Sequence, residues 1–214
     1  MVMASDLAQG VRWCEATLGV TPGPGGTHPL MGTHNRLLSI ASPAFPMAYL
    51  EIIAIDPSAQ EPGRCRWFDM DNKELRSLIK DKGPRLIHYV IAVDELDQAS
   101  SFLQSLDIDR GTKLRASRPT PNGLMQWQIT VREDGQRLYQ GCLPTLINWE
   151  SSHPTKSMPS SGVVLDSLAI SHEQHSLLRE ALHGIGMDRL AVESGSPSIT
   201  AKFHTPRGML TIQS

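Results

Sequence analysis

A pattern of strand, helix and further strands begins three times in this sequence, near Met1, Leu86 and Val163. Each time, an apolar run is followed by apolar side chains at helical spacing and then by extended segments. The first two occurrences align most closely, with ASDLAQGV of the first against VDELDQAS of the second. Repeats of this length are supersecondary units that bury a shared core, so the repeat constrains the fold before any single motif does.

The repeat predicts an α+β fold built from tandem βαβββ units. Each helix is expected to cover the convex face of a cupped mixed sheet, so that polar strand faces line a concave cavity. The C-terminal part is expected to be a βαββ half-unit packed on the same domain. The predicted divisions are a first unit, a connecting segment, a second unit, a linker and the half-unit, namely 1–56, 57–83, 84–150, 151–162 and 163–214.

Local signals predict several details within these units. Asp6 is a plausible N-cap for the first helix. Residues 86–93 (LIHYVIAV) are typical of one continuous strand, and the Gly-, Arg-, Ser- and Pro-containing stretch that runs up to Gly123 is predicted to be a loop. Trp127 and Trp149 are expected to belong to the core beneath the helices.

Glu51 stands in the middle of an otherwise apolar predicted strand, residues 47–55. A carboxylate there is costly to bury unless it is compensated, and a solvent-facing edge strand is the alternative. In the preceding strand, 34–41, His34 and Asn35 are adjacent, so only one of them can face a cavity. We expect Asn35 to line the cavity and His34 to support its rim, although Asn35 could instead close a turn.

Three more polar residues are candidates for a ligand site. His28 lies in a Gly- and Pro-rich loop, where it could cover the cavity mouth or simply be solvated. Gln126 and Gln128 belong to a polar stripe on an alternating strand. Such a stripe is either a solvent-facing sheet surface or the wall of a ligand site, and the repeat favours the wall.

Composition excludes several classes of partner. A net charge of −2 does not favour nucleic acid, and no apolar run of about 18 residues predicts a membrane span. The three cysteines are sparse and widely spaced, which argues against a disulfide framework and for a reducing compartment. No secretory signal pattern opens the sequence, so a cytoplasmic location is expected.

The motifs resemble those of the glyoxalase-like domain family in the vicinal oxygen chelate superfamily, which includes glyoxalases, bleomycin-resistance proteins and extradiol dioxygenases. The matching positions span nearly the whole chain. They are Gly26, His28 and Pro29, Gly32 to Asn35, Tyr49 to Glu51, Arg66 to Phe68, Leu86 to His88, Leu143, Pro144, Trp149, His153 and Pro154.

The resemblance implies one divalent metal ion in the cavity, with ligands from the first and fourth strands of each unit. Carried onto this sequence, the ligands are Glu51 and His88, and Glu51 is also the expected catalytic acid–base residue. The partner of His88 falls about one residue before Met1, so it is either outside this sequence or lacking. Asn148 occupies the place where the family usually has a carboxylate, and its neutral amide is a weaker ligand and a candidate substrate contact.

Three kinds of function remain open. The first is a metal-assisted lyase, isomerase or dioxygenase acting on a small molecule with adjacent oxygens, and the second is a metal-free protein that sequesters a drug or metabolite. Glu51 with His88 favours the enzyme, whereas Asn148 and the missing first-strand ligand favour the binding protein. The third is an interaction module in which the C-terminal half-unit forms a homodimer surface.

Overall fold

The computed structural model describes residues 1–120, 123–150 and 152–214. These residues form four helices and three β-sheets, which confirms the predicted α+β class. The helices are α1 (Leu7–Leu18), α2 (Lys73–Lys82), α3 (Leu96–Ser105) and α4 (His175–Gly184). The strands are β1 (Val2–Met3), β2 (Thr27–His28), β3 (Thr33–Ser39), β4 (Tyr49–Ile55), β5 (Arg85–Leu86), β6 (Val90–Ala92), β7 (Thr112–Thr120), β8 (Gly123–Val131), β9 (Thr145–Trp149), β10 (Val164–Ser171), β11 (Ala191–Glu193), β12 (Ser198–Thr205) and β13 (Gly208–Gln213).

The first two βαβββ units share one strand order. Sheet A has the order β2-β3-β4-β1-β5, and sheet B has the order β7-β8-β9-β6. When the four strands of each unit are counted along the chain, both sheets place them as second, third, fourth and first. The repeat in the sequence is therefore a repeat of topology, and the prediction of tandem βαβββ units is confirmed.

The third unit repeats the order of elements but not the topology. It contains β10, α4, β11, β12 and β13, one strand more than the expected βαββ half-unit. In sheet C the order is β11-β10-β12-β13, so its first strand lies between its second and third. Because β10 and β11 are parallel neighbours, α4 serves as the crossover that such a pair needs.

Two apolar clusters cover the opposite faces of sheets A and B. The first joins these sheets to the buried sides of α1, α3 and α4, with Cys14, Leu103 and Leu178 as examples. Helix α1 begins where predicted, since the Asp6 side chain accepts a hydrogen bond of 2.7 Å from the backbone N–H of Gln9. The second cluster fills the inside of the cup and includes few residues from helices.

Trp127 and Trp149 belong to this second cluster, together with Met3 and Ile53. Both tryptophans belong to an apolar core, as expected, but this core lies inside the cup and not beneath α1, α3 and α4. Their rings lie 5.7 Å apart on the inner face of sheet B, because β8 and β9 pair Trp127 directly with Trp149. The inside of the cup is consequently more aromatic and less polar than the alternation of the strand suggested.

Two further local predictions are corrected. In the stretch predicted to be a loop up to Gly123, residues 112–120 instead form β7 at the edge of sheet B, and residues 121–122 lie outside the described residues. An edge strand tolerates the proline and the charged side chains that made this stretch resemble a loop. Residues 86–93 are not one strand, because β5 pairs in sheet A and β6 in sheet B, with His88 between them.

Candidate functional site

The centre of the site is a hydrogen bond between two side chains of sheet A. Strands β3 and β4 are antiparallel and pair Leu37 with Glu51 and Asn35 with Ile53, which places all four side chains on the inner face. Asn35 is 6% exposed and its Nδ2 donates to Oε1 of Glu51 over 2.6 Å. The structure thus brings together the two residues that the alternation of the strands had placed in the cavity wall.

Asn35 is held in one orientation by its other contacts. Its Oδ1 accepts a hydrogen bond of 2.8 Å from the backbone N–H of Gly26, which fixes the amide nitrogen toward Glu51. The same Nδ2 lies 3.4 Å from Nε2 of His28, and Nδ1 of His28 lies 3.0 Å from Oγ1 of Thr33. These contacts are all satisfied when His28 is neutral and carries its proton on Nδ1.

His28 is packed as a neutral ring. Burial, with smaller contributions from the charges of Arg118 and His34, lowers the pKa of His28 to about 3. Its ring meets Trp67 edge-on at 5.1 Å and Trp127 at 6.4 Å. His28 therefore serves as a hydrogen-bonding neighbour of Asn35 near neutral pH and does not supply a positive charge.

Glu51 has a pKa shifted upward from that of a free carboxyl group. Burial raises its pKa, and the hydrogen bond from Asn35, the amino group of Met1 and the guanidinium of Arg118 oppose that increase. The side chain nevertheless retains some exposed surface. Tyr49, two residues earlier on the same face of β4, has its pKa raised by burial and by the charge of Glu51.

A cavity of about 740 Å³ lies near this pair, and neither Asn35 nor Glu51 is among the described residues that line it. It lies beside Leu37, the cross-strand neighbour of Glu51, and is also lined by Arg118 and His153. The His153 ring lies 5.8 Å from that of Tyr49 and 5.4 Å from that of Trp149, so aromatic rings join the cavity to the inner faces of sheets A and B. The volume suits a small organic ligand.

Arg118 is a site residue that the sequence reasoning missed. It lies on β7, directly opposite Met125 of β8, and on the same face as Trp127. Its Nη1 reaches the backbone of Gly26, the residue that donates to Asn35. The signal for Arg118 was the alternation of Leu114, Ala116 and Arg118, which was hidden by the loop-like composition of the stretch.

A family model described as Glyoxalase-like domain matches residues 1–186. The chain belongs to the glyoxalase-like domain family. The match covers the first two units and extends through β10 and α4, whereas the last three strands lie beyond it. No helix of the described part of this family member is long and apolar enough to cross a membrane.

This glyoxalase-like protein is similar to several solved structures. A hypothetical protein from Staphylococcus aureus aligns over 83% of this chain and 78% of its own, with 13% identity and a TM-score of 0.57. Methylmalonyl-CoA epimerase from Mycobacterium tuberculosis aligns with 15% identity over 73% of this chain and 88% of its own, at a TM-score of 0.38. The Streptomyces coelicolor methylmalonyl-CoA epimerase in complex with 2-nitronate-propionyl-CoA aligns with 14% identity over 70% of this chain and 94% of its own, at a TM-score of 0.40. The two epimerase alignments are too loose to assign a reaction here, and no curated protein matches the chain.

His34 is placed away from the Asn35–Glu51 pair of the glyoxalase-like domain. The pleat of β3 directs it to the face opposite Asn35, where its Nδ1 lies 3.9 Å from Oδ2 of Asp56. Its Nε2 is buried and has no hydrogen-bond partner. The predicted role of His34 in supporting the rim stays a prediction.

The polar stripe of sheet B faces away from the aromatic interior. Gln126 and Gln128 alternate with Trp127 along β8, so they lie on the other side of the sheet. Nε2 of Gln128 donates to Oε1 of Glu150 over 2.5 Å at the surface. The structure does not bring these two glutamines to Glu51, and ligand binding by them stays a prediction.

Asn148 lies on the same outer face of sheet B. Its Nδ2 donates to the backbone carbonyls of Val93 and Asp94, over 2.9 and 2.8 Å, where the chain leaves β6. These two bonds use the amide nitrogen to fix the strand end. The structure therefore gives Asn148 an observed local role, while the predicted substrate contact has no counterpart among these bonds.

The described residues do not fit the metal pair implied by the resemblance. Nδ1 of His88 lies 3.1 Å from the carbonyl of Gly141, and its Nε2 lies 3.0 Å from Oγ1 of Thr145. Since Thr145 Oγ1 accepts from Arg110 over 2.5 Å, its own hydrogen is free to bond Nε2, which occupies the lone pair that a metal needs. Among the residues that the structure describes, no three His, Cys, Asp or Glu side chains group to hold a metal ion.

Proposed function

We propose that this glyoxalase-like protein is an enzyme that moves a proton at a carbon next to a carbonyl group, with Glu51 as the acid–base residue. The observation that carries the proposal is the partly buried hydrogen bond between Glu51 and Asn35, close to a cavity that is lined by Leu37, the cross-strand neighbour of Glu51. Such proton transfer is the step that a lyase or an isomerase needs for a substrate with adjacent oxygens.

The environment of Glu51 supports this role. A general base works best when its pKa is close to the working pH, and burial moves the pKa of Glu51 in that direction. Asn35 holds one carboxyl oxygen, Oε1, so the other, Oε2, is the atom that would take the substrate proton. The neutral ring of His28 sustains the orientation of Asn35 without adding a competing charge.

The proposal is tested by hydrogen exchange at carbon. Candidate substrates such as 2-oxobutyrate and dihydroxyacetone phosphate are incubated with the protein in D₂O, and loss of the signal from hydrogens next to the carbonyl is followed by proton NMR. We expect the native chain to accelerate exchange and Glu51→Gln to slow it by a factor of about 10² or more. Glu133→Gln, which changes an exposed glutamate, is the matched control and should exchange like the native chain.

Equal exchange in the native chain and Glu51→Gln would remove Glu51 from the reaction. The outcome of this experiment also separates the enzyme from the second candidate function. Ligand binding without any exchange would favour the metal-free binding protein.

That second candidate is favoured by the contacts of His88. Both of its ring nitrogens are used within the fold, and burial lowers its pKa well below the usual range. If Glu51 and His88 do hold a divalent ion, elemental analysis of the native chain should find one ion per chain, and Glu51→Ala should lose it.

A further inference from the structure

Arg118 is a cation that forms no ion pair with any described residue. No described residue forms an ion pair or a hydrogen bond with its guanidinium, and Nη1 is buried without a partner. Arg66 and Arg137 show the usual alternative, since each bonds a carboxylate, at 2.7 Å from Asp71 and 2.9 Å from Asp69. An arginine remains charged at any physiological pH, so removing it from water without a partner is unfavourable.

The location of Arg118 couples this unpaired charge to the site. Arg118 lines the cavity, and its Nη1 lies against Gly26. Gly26 in turn donates to Asn35, and Asn35 donates to Glu51. Two hydrogen bonds, from Gly26 to Asn35 and from Asn35 to Glu51, therefore connect the residue that the guanidinium contacts to Glu51. The charge of Arg118 lowers the pKa of both Glu51 and His28.

The rest of the cavity wall is largely apolar near this charge. Leu37 comes from β3, and Leu124 and Met125 come from β8. Leu124 is 55% exposed, so its apolar side chain is accessible to a ligand in the cavity. The cavity thus presents the Arg118 cation beside these apolar side chains, and Lys156 is a second cation in its lining.

We infer that the cavity binds a small molecule with an oxyanion group, a carboxylate or a phosphate, and that Arg118 holds this group. The planar guanidinium bonds either oxyanion with two parallel N–H groups, which a neutral ligand cannot reproduce. The inference rests on the proposed function only in placing the reacting carbon of that molecule beside Glu51. Anion binding by Arg118 stands without it.

The test compares charged and neutral forms of the same ligand by isothermal titration calorimetry. The probes are 2-oxobutyrate against its methyl ester, and dihydroxyacetone phosphate against dihydroxyacetone. The proteins are the native chain, Arg118→Met, Arg118→Lys and Arg115→Met. Arg115 is the matched control because it lies on the other face of the same strand, where it pairs with Glu150 over 2.8 Å.

We expect at least one charged probe to bind the native chain about tenfold or more tightly than its neutral form. Arg118→Met should remove that preference, Arg118→Lys should keep part of it, and Arg115→Met should keep it all. Preference for the carboxylate pair or for the phosphate pair identifies the kind of oxyanion. Equal binding of charged and neutral probes, no binding of any charged probe, or an unchanged preference in Arg118→Met would each overturn the inference.

Glu51→Gln separates this inference from the proposed function. Anion preference that survives in Glu51→Gln, together with no hydrogen exchange in the native chain, would support the role of Arg118 and reject Glu51 as a base. Hydrogen exchange that depends on Glu51, together with equal binding of charged and neutral probes, would do the reverse.

Discussion

The contact between Gly26 and Arg118 predicts that Gly26→Ala weakens ligand binding but has little effect on the stability of the fold. A Cβ atom added at Gly26 would lie 2.0 Å from Nη1 and 3.1 Å from Cδ of Arg118. Since carbon–nitrogen contacts settle near 3.5 Å, Gly26→Ala must displace the guanidinium by about 1.5 Å. The displaced group is the end of a flexible side chain, so the free energy of unfolding should fall by less than about 1 kcal/mol.

Anion binding should be much more sensitive to the same substitution. Two parallel N–H···O bonds require the guanidinium plane to meet the oxyanion at a fixed distance and angle. A displacement of about 1.5 Å breaks at least one of them, which predicts a loss of affinity of about tenfold. Calorimetry with the preferred charged probe measures this loss, and urea denaturation followed by circular dichroism measures stability.

Gly25→Ala is the matched control, because the neighbouring glycine meets backbone instead of a mobile side chain. A Cβ atom at Gly25 would lie 2.1 Å from the backbone carbonyl oxygen of Asn35 and 2.2 Å from its Oδ1. Strand β3 cannot yield easily, so Gly25→Ala should destabilise the fold by about 1–3 kcal/mol. The reasoning is refuted if Gly26→Ala binds the charged probe like the native chain, or if it destabilises the fold as much as Gly25→Ala does.

Three further predictions concern the residues around Glu51. Asn35→Ala leaves the N–H of Gly26 without its acceptor, so urea denaturation should show that the free energy of unfolding falls by about 1–3 kcal/mol. The substitution also removes the hydrogen bond to Glu51, so NMR titration should show a higher pKa for Glu51. An unchanged pKa would contradict the hydrogen bond between Asn35 and Glu51. Because burial raises the folded-state pKa of Glu51, its contribution to stability is present at low pH and lost as pH rises through that pKa. Glu51→Gln should therefore gain stability over the native chain at about pH 8 compared with about pH 4, and parallel profiles would refute this. The pKa of His28 is about 3 when folded and 6.5 when unfolded, so the native chain should lose stability as pH falls from 6.5 toward 3, and His28→Asn should flatten that loss in acid-denaturation profiles.

The units were predictable because burial leaves a period in the sequence. Apolar residues recur at helical spacing where α1, α3 and α4 cover the first cluster, and they alternate where a strand has one buried face. The pairing of strands leaves no such periodic pattern in the sequence. The different strand order of sheet C, with β10 between β11 and β12, depends on contacts across tens of residues and could not be inferred from the pattern.

The site was only partly predictable for the same reason. Alternation places Asn35 and Glu51 on inner positions of two neighbouring strands, and the register of β3 with β4 then makes them touch. Alternation along β8 shows that Gln126 and Trp127 face opposite ways, but it does not state which face lies inside the cup. Arg118 was not predicted as a site residue because β7 is an edge strand whose composition resembles that of a loop.

The two repeated units therefore contribute different kinds of side chain to the site. On the inner face of sheet A, the first unit presents an amide and a carboxylate, Asn35 and Glu51. On the inner face of sheet B, the second unit presents Trp127 and Trp149, and its charged contribution is Arg118 from the edge strand. A symmetric pair of ligand sets for a shared metal would need carboxylate or imidazole donors from both inner faces. A carboxyl group on one sheet and an unpaired guanidinium on the other instead suit the proposed anionic substrate, which Arg118 would bind at one end and Glu51 would deprotonate at the other.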